Sequence, residues 1–126
     1  MSLSKGLSIV VPVYRSEQTL RELVSRISSA IQKHDFEIIL VDDASGDGSW
    51  QEISSLAKEN LSVLGIRLGR NSGQHGALLA GVRTAKFETT VTLDDDLQNP
   101  PEEIEKLISG LKPGVDVVYG ISSEVK

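Results

Sequence analysis

The sequence predicts an α/β fold, a parallel sheet with helices on both faces, from three observations. Five short runs rich in Val, Ile and Leu alternate with four segments whose apolar residues recur at helical spacing. The runs are close to continuous in apolar residues, as strands buried on both faces require. Polar clusters follow the first four runs, at residues 12–17, 42–43, 70–75 and 94–98. Ligands of such sheets bind outside the carboxyl ends of the strands, so the four clusters share one edge and point to one composite site.

The first strand is Leu7-Ser8-Ile9-Val10-Val11-Pro12-Val13. Pro12 has no N–H to give a ladder and should mark a strand end or an edge. Ser16 is the expected N-cap of the helix that follows, with Thr19 and Leu20 already helical. Leu20, Leu23, Val24, Ile27 and Ile31 make one apolar stripe. That helix should end near Lys33-His34, leaving His34 at the surface. Residues 36–41 form the second strand, closed by the turn formers Asp42-Asp43-Ala44-Ser45-Gly46-Asp47-Gly48-Ser49. The second helix runs from about Ser49 to Glu59, with Trp50, Ile53, Leu56 and Ala57 inward. Residues 62–68 are the third strand. The third helix, residues 74–85, carries Gly76, Ala77, Ala80 and Gly81, small residues that permit close approach to a sheet. Residues 89–93 are the fourth strand. Asn99 can cap the next helix, Pro100-Pro101 suit its first turn, and Glu102-Glu103 there oppose its dipole. Residues 115–119 form a fifth strand.

A chain of 126 residues with 39% hydrophobic composition bounds one folded domain, residues 1–126. No stretch is long and apolar enough to span a bilayer, and the first residues lack the order of a signal peptide. Cysteine is absent, which excludes disulfides, a thiol nucleophile and a thiolate metal site and fits a cytoplasmic setting. The net charge of −5 argues against a nucleic-acid surface. An acidic protein that binds a polyanion such as a nucleotide diphosphate needs a metal or local donors to do it.

The chemistry concentrates in Leu93-Asp94-Asp95-Asp96-Leu97-Gln98. Along an extended strand Asp94, Asp96 and Gln98 point to one side and Asp95 to the other. Two carboxylates held together repel by about 4 kcal/mol at ~4 Å and an effective dielectric of ~20. Mg²⁺ or Mn²⁺, which takes oxygen ligands and shares them with phosphates, relieves that repulsion; a solvated turn capping the next helix is the plainer alternative. Of Asp42 and Asp43, one is expected to accept hydrogen bonds from a base or ribose and the other to cap a turn, without the sequence saying which. Arg70 meets a phosphate or a surface acid. Gly73 lets backbone approach a ligand. His75 donates to a diphosphate or stays solvated, and Tyr14 and Glu17 wall a base pocket or pack within their loop. Neither G-x-G-x-x-G after the first strand, nor a phosphate-binding G-x-x-x-x-G-K-[ST], nor G-x-S-x-G is present.

Val11-Pro12-Val13-Tyr14, Val41-Asp42-Asp43-Ala44-Ser45-Gly46-Asp47, Arg70-Asn71-Ser72-Gly73-Gln74-His75-Gly76-Ala77 and Leu93-Asp94-Asp95-Asp96-Leu97-Gln98-Asn99-Pro100-Pro101-Glu102 stand in this order. Together they resemble glycosyltransferase family 2, of GT-A fold, over about residues 7–120. The last two look most like the polyprenyl-phosphate branch. The resemblance implies the Rossmann-like, nucleotide-binding half of a GT-A enzyme. Pro12, Tyr14 and Glu17 then line a nucleotide pocket and Asp42 or Asp43 contacts the base. Asp94 and Asp96 are the acids of a D-x-D element with Gln98 beside the metal, Mg²⁺ or Mn²⁺, and Asp96 takes the catalytic role. The donor would be a UDP- or GDP-linked sugar, transferred with inversion to polyprenyl phosphate.

Two departures stand out. The middle of the D-x-D element is often Ala in this branch and is Asp95 here, which leaves open which acids hold the metal. Family members also continue well past this length, with acceptor strands, a catalytic base and membrane-associated helices downstream. The chain is therefore expected to be the donor-binding part of a larger enzyme, at the cytoplasmic face of a membrane, and to transfer little by itself. Two rivals share the fold class: a phosphoacceptor receiver domain and a catalytically silent binding module. A receiver needs an acidic pair after its first strand and a Lys after its fifth, where this chain has Val11-Pro12-Val13-Tyr14 and Tyr119-Gly120.

Overall fold

A computed structural model describes residues 4–97, 100–109 and 117–119. The elements alternate as β1 (Ser4–Val13), α1 (Leu20–Ala30), β2 (Phe36–Asp42), α2 (Ser49–Glu59), β3 (Val63–Arg67), α3 (Gly73–Thr84), β4 (Phe87–Thr92), a 3-10 turn (Pro101–Glu103), α4 (Ile104–Ser109) and β5 (Val117–Tyr119). All the strand pairings are parallel, in the order β3-β2-β1-β4-β5. The chain steps outward from β1 to β3, then crosses back to place β4 on the other side of β1. Ligand crevices open where strand order reverses in this way. A flavodoxin-like receiver runs 2-1-3-4-5 instead, so the topology removes that rival.

The two faces of the sheet carry different loads. Ile9, Val11, Val13, Ile38, Leu40 and Val91 pack with Leu20, Leu23, Ile27, Ile53, Leu56 and Ile104, so α1, α2 and α4 cover one face. Val10, Ile39 and Val41 face α3 through Ala77. Here Gly81 allows the close approach: a Cβ on it would overlap Val10 Cγ1 and crowd Val41 Cγ2 at 3.3 Å. The small residues of α3 thus let its backbone lie almost on the sheet.

Several predicted boundaries shift. Helix α1 starts at Leu20 with Thr19 at its N-cap, not Ser16. The Ser16 hydroxyl is engaged elsewhere, with Asp95, and its carbonyl instead closes a turn by accepting Thr19 N–H at 3.0 Å. The same helix ends at Ala30, and His34 is half-buried rather than a surface group, its Nε2 2.9 Å from Glu105. Pro12 lies within a central strand. Val10 C=O accepts Leu93 N–H at 3.1 Å while Val13 C=O accepts Asp43 N–H at 2.9 Å, so even positions of β1 face β4 and odd ones face β2. Register with β4 ends at Val10↔Thr92, whereas register with β2 continues to Val13↔Asp42. The absent N–H of Pro12 therefore points where β4 has already left the ladder.

Candidate functional site

Where β1 and β4 part, a cavity of about 400 Å³ opens at the carboxyl edge of the sheet. It is lined by Pro12, Val13 and Tyr14 from β1 and its loop, Asp43 after β2, Asn71, Gly73 and Gln74 around the start of α3, and Asp94, Asp95 and Asp96 after β4. Four of these residues are carboxylates and none is a Lys, Arg or His. Three loops around the rim hold a non-glycine residue in the left-handed region: Arg15 (φ 55°) after β1, Ala44 (φ 57°) after β2 and Leu97 (φ 64°) after β4. Each such residue costs roughly 1 kcal/mol or more, and strain of this kind gathers where a site over-determines the backbone.

The two acids that end β2 divide the work. Asp42 is buried and turned back on its own loop, where Oδ1 accepts the Ser45 hydroxyl at 2.5 Å and the Ser45 N–H at 3.3 Å. It lines no part of the cavity. Asp43, also buried, accepts Ser72 N–H at 2.6 Å on Oδ1, and its carbonyl accepts the Asn71 side-chain amide at 3.2 Å. Asp43 thus seats the β3–α3 loop while its side chain faces the cavity.

The acidic tip is a turn, not a continued strand. β4 ends at Thr92, and Asp95-Asp96 form a turn. Asp95 accepts Tyr14 N–H at 2.9 Å on Oδ2 and the Ser16 hydroxyl on the same oxygen. Asp94 accepts the Gln74 side-chain amide at 3.2 Å. Burial pushes the Asp94 carboxyl above its ordinary range, the charges of Asp96 and Asp95 push the same way, and the Gln74 bond partly opposes them. Gln98 and Asn99 lie outside the described residues.

Other residues singled out in the sequence stand off the cavity. Glu17 lines a neighbouring hollow of about 360 Å³ with Arg15, Asp47 and Asp96. Its Oε1 accepts Gly48 N–H at 3.1 Å at the start of α2, where a carboxylate satisfies an orphan donor and meets the helix dipole. Arg70 and His75 are exposed and do not line the cavity. Successive helix residues project about 100° apart, so a Gln74 that faces Asp94 carries His75 away. Asn71 and Gln74, by contrast, line it without having been singled out. The signal was present in Gln74, the first polar side chain after a glycine (φ 80°) that opens a helix.

Among the described residues no cluster of three or more acidic or His side chains forms a ready metal cage. The donor set still fits a hard divalent cation. Such ions use one or two protein carboxylates and complete their shell with water and phosphate oxygens. Asp94 and Asp96 line one cavity, and the Asp94 carboxyl is raised first by burial and then by the charges of Asp96 and Asp95, both of which a cation would offset. No described helix is long and apolar enough to cross a membrane.

Comparison with known proteins agrees with this arrangement. The chain is 46% identical over 117 residues to the undecaprenyl-phosphate 4-deoxy-4-formamido-L-arabinose transferase of Aeromonas hydrophila subsp. hydrophila, covering 90% of this chain and 36% of that protein. It is 47% identical over 115 residues to the protein of the same name from Pseudomonas fluorescens, covering 89% and 34%. The chain spans about a third of the length of these curated relatives. Among solved structures it resembles S. aureus TarS 1-349 in complex with UDP-GlcNAc, with 28% identity, a TM-score of 0.63, and coverage of 72% of this chain and 26% of that one. It shares its fold with the mannosyltransferase PcManGT from Pyrobaculum calidifontis, in complex with GDP-Man and Mn²⁺, at 24% identity and a TM-score of 0.66, over 75% of this chain and 28% of that one. The fold is thus Rossmann-like, with GT-A glycosyltransferases as its structural neighbours. The family profile of glycosyl transferase family 2 matches residues 8–125, and with its motifs set around one crevice, the chain belongs to that family.

Proposed function

We propose that this chain is the donor-binding part of a glycosyltransferase that takes a UDP- or GDP-linked sugar together with Mg²⁺ or Mn²⁺. In the whole protein the sugar passes, with inversion, to polyprenyl phosphate. The observation that carries the reading is the charge of the cavity: four carboxylates and no cationic side chain among the described lining residues. A diphosphate enters such a pocket only with its charge offset. Asp94 and Asp96 would hold the divalent ion, Gln98 would add to its environment, and Asp96 would take the catalytic role. When bound there, the ion supplies Lewis-acid stabilisation of charge on the departing diphosphate.

The remaining residues bind and orient. Asp43 is the acid placed to accept a base N–H or a ribose hydroxyl, with Asn71 beside it. Pro12 and Tyr14 line the same cavity, and Gly73 admits the ligand close to the backbone at the start of α3. A phosphate acceptor is already anionic, so it needs less help from a general base than a hydroxyl would. The names of the relatives support polyprenyl phosphate as acceptor, and the UDP-GlcNAc complex of TarS supports a nucleotide-sugar donor.

Titration calorimetry with UDP and GDP, each with and without Mn²⁺, tests the donor site. Metal-dependent binding of one nucleotide is expected. A folded chain that gives no metal-dependent heat with either ends the proposal. For the whole protein, transfer of labelled sugar to undecaprenyl phosphate tests the acceptor.

A further inference from the structure

We propose that Asp95 is a positioning residue that fixes the β1–α1 loop over the cavity, a role distinct from that of the acids on either side. Its effect on binding rests on the nucleotide-sugar reading above; the tether itself does not.

The β4-facing side of β1 runs out of backbone partners in a defined order. Val10 C=O still accepts Leu93 N–H, Pro12 has no N–H to offer, and the next donor on that side is Tyr14 N–H. With β4 gone, the Asp95 carboxylate takes the place of the missing strand and accepts Tyr14 N–H at 2.9 Å. The same oxygen accepts the Ser16 hydroxyl, and the Asp95 carbonyl accepts the Thr19 hydroxyl at 2.8 Å. Three donors from one six-residue segment, at 14, 16 and 19, thus end on one residue. On the far side the segment is pinned by Arg15 N–H to Ser45 Oγ at 2.9 Å and by Ser16 N–H to Ser49 Oγ at 3.0 Å.

The segment needs both sets of ties. Arg15 sits at φ 55°, a conformation that a side chain other than glycine keeps only when its surroundings hold it. Tyr14 lines the cavity with 46% of its surface exposed, and the Arg15 guanidinium lies over its ring, 5.4 Å from the centroid. Asp95 Oδ2, which already accepts two hydrogen bonds, has its lone pairs committed to the loop. Asp95 thereby makes the acidic turn after β4 a support for the neighbouring loop that carries Tyr14.

Three variants separate this role from ligation or bulk charge. Asp95→Asn keeps a carbonyl oxygen for the loop and removes the charge. Asp95→Ala removes both, and Ser16→Ala removes one tie and keeps the charge. For whichever nucleotide the unaltered chain binds with Mn²⁺, Asp95→Ala should weaken affinity about tenfold, Ser16→Ala should weaken it in the same direction, and Asp95→Asn should restore most of it. The Tyr14 amide resonance should move in Asp95→Ala and stay near its original position in Asp95→Asn. Equal losses in Asp95→Asn and Asp95→Ala, or a Tyr14 amide unmoved in Asp95→Ala, would overturn the proposal. If Asp95→Ala does not fold, the Ser16→Ala and Asp95→Asn pair decides it. If neither nucleotide binds the unaltered chain, the donor-site proposal falls, and the Tyr14 resonance still tests the tether.

Discussion

The side-chain amide of Gln74, at the start of α3, donates to Asp94 Oδ1 at 3.2 Å, and both residues line the cavity. Among the influences on Asp94 it is the one that favours the ionised form, against burial first and then the charges of Asp96 and Asp95. Gln74→Ala should therefore move the Asp94 titration to still higher pH, as followed by carboxyl ¹³C shifts in metal-free protein. Because the folded-state value is raised, this group adds stability below its unfolded pKa, and that contribution is lost as pH rises through the folded value. Divalent binding has the opposite dependence, since it needs the deprotonated acid. Mn²⁺ affinity should fall as pH drops through the Asp94 midpoint, and should do so at higher pH in Gln74→Ala.

Asp42 and Asp43 should separate when each is replaced. Asp42→Ala leaves Ser45 without its acceptor and should cost about 1–3 kcal/mol of unfolding free energy, with nucleotide affinity of the folded protein lowered less than in Asp43→Ala, because Asp42 reaches the cavity only through Ser45 Oγ and the Arg15 N–H that it accepts. Asp43→Ala should cost a similar amount through the Ser72 N–H and also weaken nucleotide binding about tenfold or more. Denaturant unfolding and calorimetry on both variants make the comparison.

Gly81→Ala places a methyl group against Val10 Cγ1 in the seat of α3. Overpacking of this kind costs about 1–3 kcal/mol. Pairing it with Val10→Ala should return part of the loss, and a double-mutant cycle in urea would measure how much.

The contact between the loop after α1 and Glu105 of α4 offers a pH test away from the cavity. Glu105 is held below the usual carboxylate range, first by its bond to His34 and then by Lys33, 3.0 Å away. With the folded value depressed, its contribution is present above the unfolded pKa and is lost as pH falls through the folded one. His34→Ala should raise the Glu105 midpoint toward that of an ordinary glutamate, which a ¹³C titration reads directly.

How far the sequence reached depended on the kind of signal each feature leaves. Strands and helices were legible because burial on two faces imposes long apolar runs, and turns between them demand Gly, Asp and Ser. The gathering of four loops at one edge followed from chain direction alone. Which of Asp42 and Asp43 faces the cavity was not legible, because each can cap the same turn and the choice is made by Ser45 and Ser72, one of them on a distant loop. Asp95 was expected to turn away from Asp94 and Asp96 because strand alternation was carried past Thr92. A turn begins there instead, and its partners lie roughly eighty positions earlier in the chain. The left-handed residues Arg15, Ala44 and Leu97 left no trace in composition, since none is a glycine.

Pro12 has one more consequence. A backbone that parts from its neighbour ordinarily strands a donor, and any other residue at this place would offer an N–H inviting β4 to close up or water to intrude. The imino acid behaves like the stop at the end of a zip. It lets two adjacent strands separate at a fixed point without leaving an N–H unpaired there, so the mouth of the crevice is written into the covalent chain before any loop has folded.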